Sequence, residues 1–296
     1  MLERFLHYLQ FEKRFSPHTV ISYKTDLEQF HNYLLNNYNT TEFSDVTPEM
    51  IRSWFVFLID NKISARSVNR KKTALTSFFK FQQKLGILSD NPMSKVLSPK
   101  TSKRLPSFIE EEKMKDVLDN FPSEEKDEFL IVRDKLILEM FYATGMRLSE
   151  LVNLKESDIN SYNSNIKVLG KRNKERIIPF NGHLKLIIDN YLLLKSHRFT
   201  SDDARNWFFV TNTGKKVYSR LVYRIVNHYL SLITTQEKKS PHTLRHTFAT
   251  HMLNHGADLN SIKELMGHAN LSATEIYTHN SIEKLKTLYK QAHPKA

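Results

Sequence analysis

The sequence predicts a mainly α-helical protein: an N-terminal helical bundle followed by a C-terminal α-rich domain with a small antiparallel β-sheet. Three observations carry that prediction. Apolar residues recur at helical spacing behind hydroxyl–proline starts. A proline- and serine-rich basic stretch breaks the pattern after residue 88. Beyond it, two short strand-like runs flank a polar turn within otherwise helical sequence. At 296 residues the chain suits two cores of roughly 150 residues each.

The elements follow in order. An opening segment spans Phe5 to Phe11. Ser16-Pro17 and Thr47-Pro48 each place a capping hydroxyl before a proline, which loses nothing at the first helical position because that N–H is unpaired anyway. The first of these starts a helix carrying Tyr23, Leu27, Phe30, Tyr33 and Leu34; the second carries Ile51, Trp54, Phe55 and Leu58. A further helix runs from about Ser64 to Leu85 with Val68, Leu75, Phe78 and Phe79 on one face. These define a core-forming domain over 1–88, with the aromatics read as core rather than as base-stacking platforms. Residues 89–108 read as a basic linker, containing Lys100, Lys103 and Arg104, and 109–296 as the second domain. There an apolar helix over 129–143 ends near Gly145, and a short one follows over Ser149–Leu154. Ile166–Leu169 and Arg176–Pro179 form a hairpin, and 207–212 is a candidate edge strand. Helices resume over 183–195, 219–234, 243–255, 259–266 and 272–279.

Composition narrows the chemistry. There is no cysteine, which excludes disulfides, a thiolate nucleophile and any metal site that needs sulfur. The segment after Met1 is charged and periodic and has no apolar run of membrane-spanning length, so a soluble intracellular protein is expected. The net charge of +12 points to an anionic partner, nucleic acid ahead of a membrane. Its sharpest local expression lies between Asp60 and Asp90, where Lys62, Arg66, Arg70, Lys71, Lys72, Lys80 and Lys84 stand without a carboxylate. Solvated faces usually mix signs, so this stretch, with the linker cations as a strap, is expected to contact a phosphate backbone.

Six of the 13 histidines fall between His242 and His279. Zinc is disfavoured: no HExxH pattern occurs, no carboxylate lies between His242 and His255, and Arg245 would repel a cation. An anionic substrate fits better. His242 and Arg245, three apart behind Ser240-Pro241, share a helix face. A guanidinium fork matches phosphate oxygens and imidazole shares protons near neutrality. Arg147, after Gly145, and His268, after Gly267, are candidates to complete the enclosure. Arginines aimed at non-bridging oxygens would stabilise the extra charge of a phosphorane-like transition state. No serine stands in a GxSxG or SxxK context suited to a nucleophile. Tyr277 lies nine residues after His268, and its position after this basic cluster makes it a candidate.

The four segments ATGMRLSELVNL (143–154), GKRNKERIIPF (170–180), SPHTLRHTFATHML (240–253) and ELMGHANLSATEIYTH (264–279) resemble the catalytic segments of the tyrosine recombinases, the phage integrase family, in that family's order. Length and the helical N-terminal domain resemble its XerC/XerD-like subgroup. The resemblance implies a SAM-like core-binding domain followed by a catalytic domain. It implies that Tyr277 attacks a scissile phosphate to form a 3′-phosphotyrosyl link and that Arg147 and Arg245 clamp its non-bridging oxygens. Lys171 would protonate the leaving 5′-oxygen, His242 would take part in proton transfer, and His268 would bond the phosphate. Arg172 and Lys174, on the same hairpin, would face DNA. Arg172 departs from the GKGNKER found in many relatives. Glu150 and Glu175 would be supporting partners of Arg147 and neighbouring bases, and His246, His251, His255 and His279 would be structural or DNA-facing.

The resemblance further implies site-specific recombination through a Holliday junction, without metal, ATP or other cofactor. It would act on double-stranded DNA at a dif-like site to resolve chromosome dimers before cell division. The complex would be a tetramer on two duplexes, with a paralogous recombinase and activation by an FtsK-type translocase, in the cytoplasm at the nucleoid. Ile282, Leu285, Leu288 and Tyr289, at helical spacing, would then be exchanged between subunits; the plainer reading docks them on their own domain. An integrase or invertase of a mobile element, a type IB topoisomerase-like relaxing enzyme, and a non-catalytic DNA-binding protein are the alternatives.

Overall fold

The computed structural model describes residues 1–40, 42–101, 107–122, 127–170, 175–267, 289 and 291–294. The chain divides into two compact units, residues 1–104 and 105–296.

In the first unit, α1 (Leu2–His7) runs into a π-helical turn (Tyr8–Glu12) and is followed by α2 (Pro17–Tyr38), α3 (Pro48–Asp60) and α4 (Ala65–Lys84). The hydroxyls of Ser16, Thr47 and Ser64 accept from the backbone N–H groups of Thr19, Met50 and Ser67. These bonds satisfy donors that a helix start leaves open. The core is aromatic: Phe5 meets Phe78 edge-on at 5.2 Å, Phe30 meets Trp54 at 4.8 Å, and Phe43 meets Phe78 at 4.7 Å. All are buried, in agreement with the reading of these rings as core. The packed unit runs past residue 88. A 3-10 turn, Pro92–Lys95, delivers Met93 and Val96 to the same core, so apolar burial claims part of the stretch expected to be linker.

The second unit is built around α6 (Glu128–Thr144), which packs on α8 (Gly182–Arg198) and α11 (Pro241–Asn254). Leu136 to Thr144 are all buried, which is why this helix shows little amphipathic contrast. Two helices have no counterpart in the sequence reading: α5 (Glu111–Asp119), whose Met114, Val117 and Leu118 are buried beneath an acidic surface, and the short α9 (Asp202–Asn206). Between α7 (Leu148–Val152) and α8 lies an antiparallel sheet of order β1-β2-β3: Ile159–Asn160, Asn165–Leu169 and Glu175–Pro179. The third strand is therefore Ile159–Asn160. Within 207–212, Trp207 and Val210 make only isolated bridges, to Lys155 and Lys216, and the run does not join the sheet. Register pairs Ile166 with Ile178 and Val168 with Arg176. With a side-chain period of two, Arg176 thus points to the same buried face as Ile178.

The unit continues with α10 (Ser219–Ile233), α11 and α12 (Leu259–Met266). Phe248 and Met252 of α11 form a small core with Ile262, Leu265 and Met266 of α12. Tyr289 and Ala292 complete that core. Tyr289, expected as a subunit-exchange contact, is only 2% exposed, with its ring stacked on His293 at 4.7 Å. In the single chain the ring sits among Phe248, Met252, Ile262, Leu265 and Met266 of its own unit. Ile282, Leu285, Leu288 and the helix expected over 272–279 lie outside the described residues.

Candidate active site

Three helix ends and one strand converge on a cluster of arginines. α6 stops at Gly145, whose φ of +58° makes a left-handed cap. A Cβ at this position would lie 2.4 Å from the ring of Phe248, so glycine is required on steric as well as conformational grounds. Two residues later, Arg147 caps α7. Its backbone N–H donates to Glu150 Oε2 at 2.7 Å, its Nη1 to Glu150 Oε1 at 2.8 Å, and its Nη2 to the carbonyl of Gly267 at 2.8 Å. Arg245, three positions after His242 on α11, donates to the carbonyls of Gly145 and Met266.

The third member is Arg176, which composition and motif order did not single out. It is 4% exposed. Its Nη1 and Nη2 take Glu150 Oε1 and Oε2, each at 2.8 Å, and its Nε donates to the carbonyl of Leu265, also at 2.8 Å. The available signal was its phase: an arginine on alternate positions with the buried Ile178 must either be paired inside or break the sheet's apolar face. Leu265, Met266 and Gly267, the last carbonyls of α12 and its cap, therefore each receive a different arginine. Free carbonyls and the negative end of the dipole make a helix C-terminus suited to cations. His268 follows Gly267 directly in sequence.

The electrostatics mark an anion site. Among the described residues, three guanidiniums face one buried carboxylate, an excess of two positive charges. Burial opposes ionisation of Glu150, but bonds from Arg176 and Arg147 hold its pKa down to about 2. Burial, together with repulsion from Arg147 and Arg176, lowers Arg245 to about 10. It remains a cation at neutral pH, in surroundings that favour an added negative charge. His242 and His246 are exposed on α11. Partial burial, His242 and Arg245 hold His246 below the ordinary histidine range. His251 is 2% exposed and pairs with the Tyr142 hydroxyl at 3.0 Å, so its place is structural. His255 bonds the His251 carbonyl at 2.8 Å.

The structure thus brings together Arg147, Arg245 and the residues around Glu150. Lys171, Arg172, Lys174, His268, Tyr277 and His279 lie outside the described residues. Glu175, expected beside the site, lies on the outer face of β3 and pairs with Lys167 at 3.0 Å. In the first unit, Lys62, Arg66 and Lys100 are exposed, whereas Lys103 and Arg104 lie outside the described residues. Lys71 is not a surface cation. It is 6% exposed and donates to the fully buried Asp26 at 2.9 Å, alongside Arg70, whose Nη2 reaches Asp26 at 2.8 Å. An unpaired aspartate inside an aromatic core would be costly, and this pairing removes that cost. Lys72 bonds the Val96 carbonyl and the Ser98 hydroxyl. Elsewhere in the second unit, Arg133, Lys215, Lys216 and Arg224 line a cavity of about 490 Å³ with Thr211 and Tyr218. No helix among the described residues is long and apolar enough to cross a membrane.

Comparison with known proteins agrees with this geometry. The phage integrase family model matches residues 107–284, and the model of the phage integrase N-terminal SAM-like domain matches residues 2–84. The chain is 36% identical over 319 residues to the tyrosine recombinase XerC of Chlorobaculum parvum, covering 100% of this chain and 94% of that protein. It is 39% identical over 298 residues to the tyrosine recombinase XerC of Staphylococcus aureus, covering 99% and 96%. Among solved structures, the XerH site-specific recombinase bound to palindromic difH substrate has a TM-score of 0.74 at 21% identity, covering 97% of this chain and 82% of that one. A lambda integrase dimer bound to a core site has a TM-score of 0.71 at 18% identity, covering 93% and 97%. At these identities the structural likenesses establish the fold. Family models across both units, and relatives matched along nearly their whole length, place the chain in the tyrosine recombinase (phage integrase) family, in its XerC/XerD-like subgroup.

Proposed function

We propose that this protein is a site-specific DNA recombinase that cuts and rejoins strands through a 3′-phosphotyrosyl intermediate. The observation that carries the reading is the placement of Arg147 and Arg245 on one helix C-terminus, with an excess of positive charge, immediately before the segment bearing His268 and Tyr277. A phosphodiester carries one negative charge and its pentacoordinate transition state carries more, so donors already held in place favour the transition state over the ground state. Tyr277 attacks phosphorus, its proton passing toward His242. The bond to the 5′-oxygen breaks, and Lys171 supplies that oxygen's proton. His268 bonds the phosphate. The 5′-hydroxyl of the partner strand then attacks the phosphotyrosine. Because the covalent link conserves the bond, ATP is not needed, and guanidiniums take the charge-stabilising part that a metal plays in other phosphoryl transfers.

DNA is held, in this reading, by the exposed Lys62, Arg66 and Lys100, by the strap containing Lys103 and Arg104, by Arg172 and Lys174, and by the cationic cavity around Arg224. Such contacts position a protein on the backbone without reading sequence. The biological role we infer is resolution of chromosome dimers at a dif-like site in the cytoplasm, by a tetramer with a paralogous recombinase under an FtsK-type translocase. Full-length similarity to proteins named XerC supports this reading.

The test is trapping on a nicked suicide substrate containing the cognate site. Wild type forms a protein–DNA adduct stable to denaturant and Tyr277→Phe forms none while still binding. Absence of adduct with wild type on a bound site overturns the catalytic reading. Mapping cleavage on the host chromosome separates roles: one site near the replication terminus supports dimer resolution, and sites at element ends overturn it.

A further inference from the structure

We infer that Arg176 is a positioning residue for strand cleavage: it saturates the Glu150 carboxylate and anchors the end of α12, leaving Arg147 aimed at the phosphate. The inference rests on the reading that Arg147 and Arg245 bind the scissile phosphate.

The argument begins with acceptor capacity. A carboxylate has about four lone-pair positions. Glu150 uses each oxygen twice: Oε1 accepts from Arg147 Nη1 and Arg176 Nη1, and Oε2 accepts from the Arg147 backbone N–H and Arg176 Nη2. Its side chain is 2% exposed, so water does not compete for those positions. Arg147 is the more open partner, at 29% exposed, and gives Glu150 only one of its guanidinium nitrogens. Remove Arg176 and two lone pairs of a buried carboxylate fall vacant. Arg147 is the remaining cation bonded to them, and turning its guanidinium fully onto Glu150 withdraws Nη2 from the Gly267 carbonyl. The same loss frees the Leu265 carbonyl, one residue before the carbonyl that holds Arg245. Arg176 thus acts on both phosphate-binding arginines without touching substrate. Its packing is close: a Cβ on Gly267 would come within 3.1 Å of Arg176 Nη1.

Lysine cannot reproduce this. It carries the charge but not the planar fork that bonds two carboxylate oxygens while a third nitrogen reaches a carbonyl.

The experiment is single-turnover adduct formation on the suicide substrate at saturating full-length protein, with DNA affinity measured separately. The variants are Arg176→Met, Arg176→Lys, Glu150→Gln, the Arg176→Met/Glu150→Gln double and Arg147→Ala. The expected result is a rate loss of 100-fold or more for Arg176→Met with DNA affinity within about threefold of wild type, and a smaller loss for Arg176→Lys. The double variant should cleave at least tenfold faster than Arg176→Met, because an uncharged amide in place of the Glu150 carboxylate no longer draws Arg147 away. A merely structural role predicts a double variant no faster than Arg176→Met, with affinity and rate falling together; that outcome overturns the inference. A slow Arg147→Ala beside a fast Arg176→Met overturns it alone. An Arg147→Ala protein that cleaves at the wild-type rate overturns the phosphate reading, and this inference with it.

Discussion

Substituting Gly145 by alanine tests the junction between fold and site. Gly145 sits at φ +58°, where an L-residue costs roughly 1–2 kcal/mol. A Cβ there would lie 2.4 Å from Cδ1 and 2.8 Å from Cε1 of Phe248. That ring is 1% exposed and lies tilted against His293, with centroids 5.9 Å apart, so it has little room to retreat. Overpacking of this kind costs about 1–3 kcal/mol. The two effects together predict a loss of about 2–5 kcal/mol in the second unit. The chain has two tryptophans, Trp54 in the first unit and Trp207 in the second. Urea unfolding followed by fluorescence in a Trp54→Phe background therefore reports on Trp207 alone. Pairing Gly145→Ala with Phe248→Leu should cost less than the sum of the single substitutions, because leucine removes the ring edge that the new Cβ meets. The Gly145 carbonyl accepts from Arg245, so cleavage should slow as well. A loss below about 0.5 kcal/mol, or strict additivity in the double variant, would refute the reasoning.

Two further outcomes follow from buried charges. Asp26→Ala leaves Lys71 inside the first unit without its carboxylate, and stranding one partner of a buried pair costs about 3–5 kcal/mol; Trp54 fluorescence during urea unfolding measures it, and an Asp26→Leu/Lys71→Met pair should recover most of the loss. Glu150 titrates near 2 in the folded chain against about 4.5 ordinarily. Its contribution, about 3 kcal/mol, is thus fully present above the ordinary value and disappears as pH falls toward 2. Unfolding measured between about pH 5 and pH 2 should fall more steeply for wild type than for Glu150→Gln, and parallel curves would contradict the assignment.

Local chemistry is what a sequence states directly, and the elements that depend on it were legible. Ser16-Pro17, Thr47-Pro48 and Ser240-Pro241 start helices because a hydroxyl and a ring-locked φ act within one turn, wherever the helix lies in the fold. The order of Arg147, His242, Arg245 and Tyr277 was read from the resemblance of their four segments to those of the tyrosine recombinases, and the structure brings Arg147 and Arg245 of that set to the end of α12. Packing decided the rest. Lys71 belongs to a basic run, yet only the approach of α2 to α4 gives it Asp26 as a partner. Tyr289 has the spacing of an exposed seam, yet a groove on α11 and α12 buries it. Met93 and Val96 read as linker because their burial depends on a core formed by residues far away in sequence. Arg176 is the clearest case. Strand phase marks it as inward, but its function arises where β3, α7 and the end of α12 meet, a meeting that no local spacing encodes. By itself the sequence determined where the helices behind hydroxyl–proline starts begin, which groups carry charge and which family the chain resembles. Only the tertiary structure decided which charges are spent holding the fold together and which stay available for phosphate, because burial and pairing are set by neighbours distant along the chain.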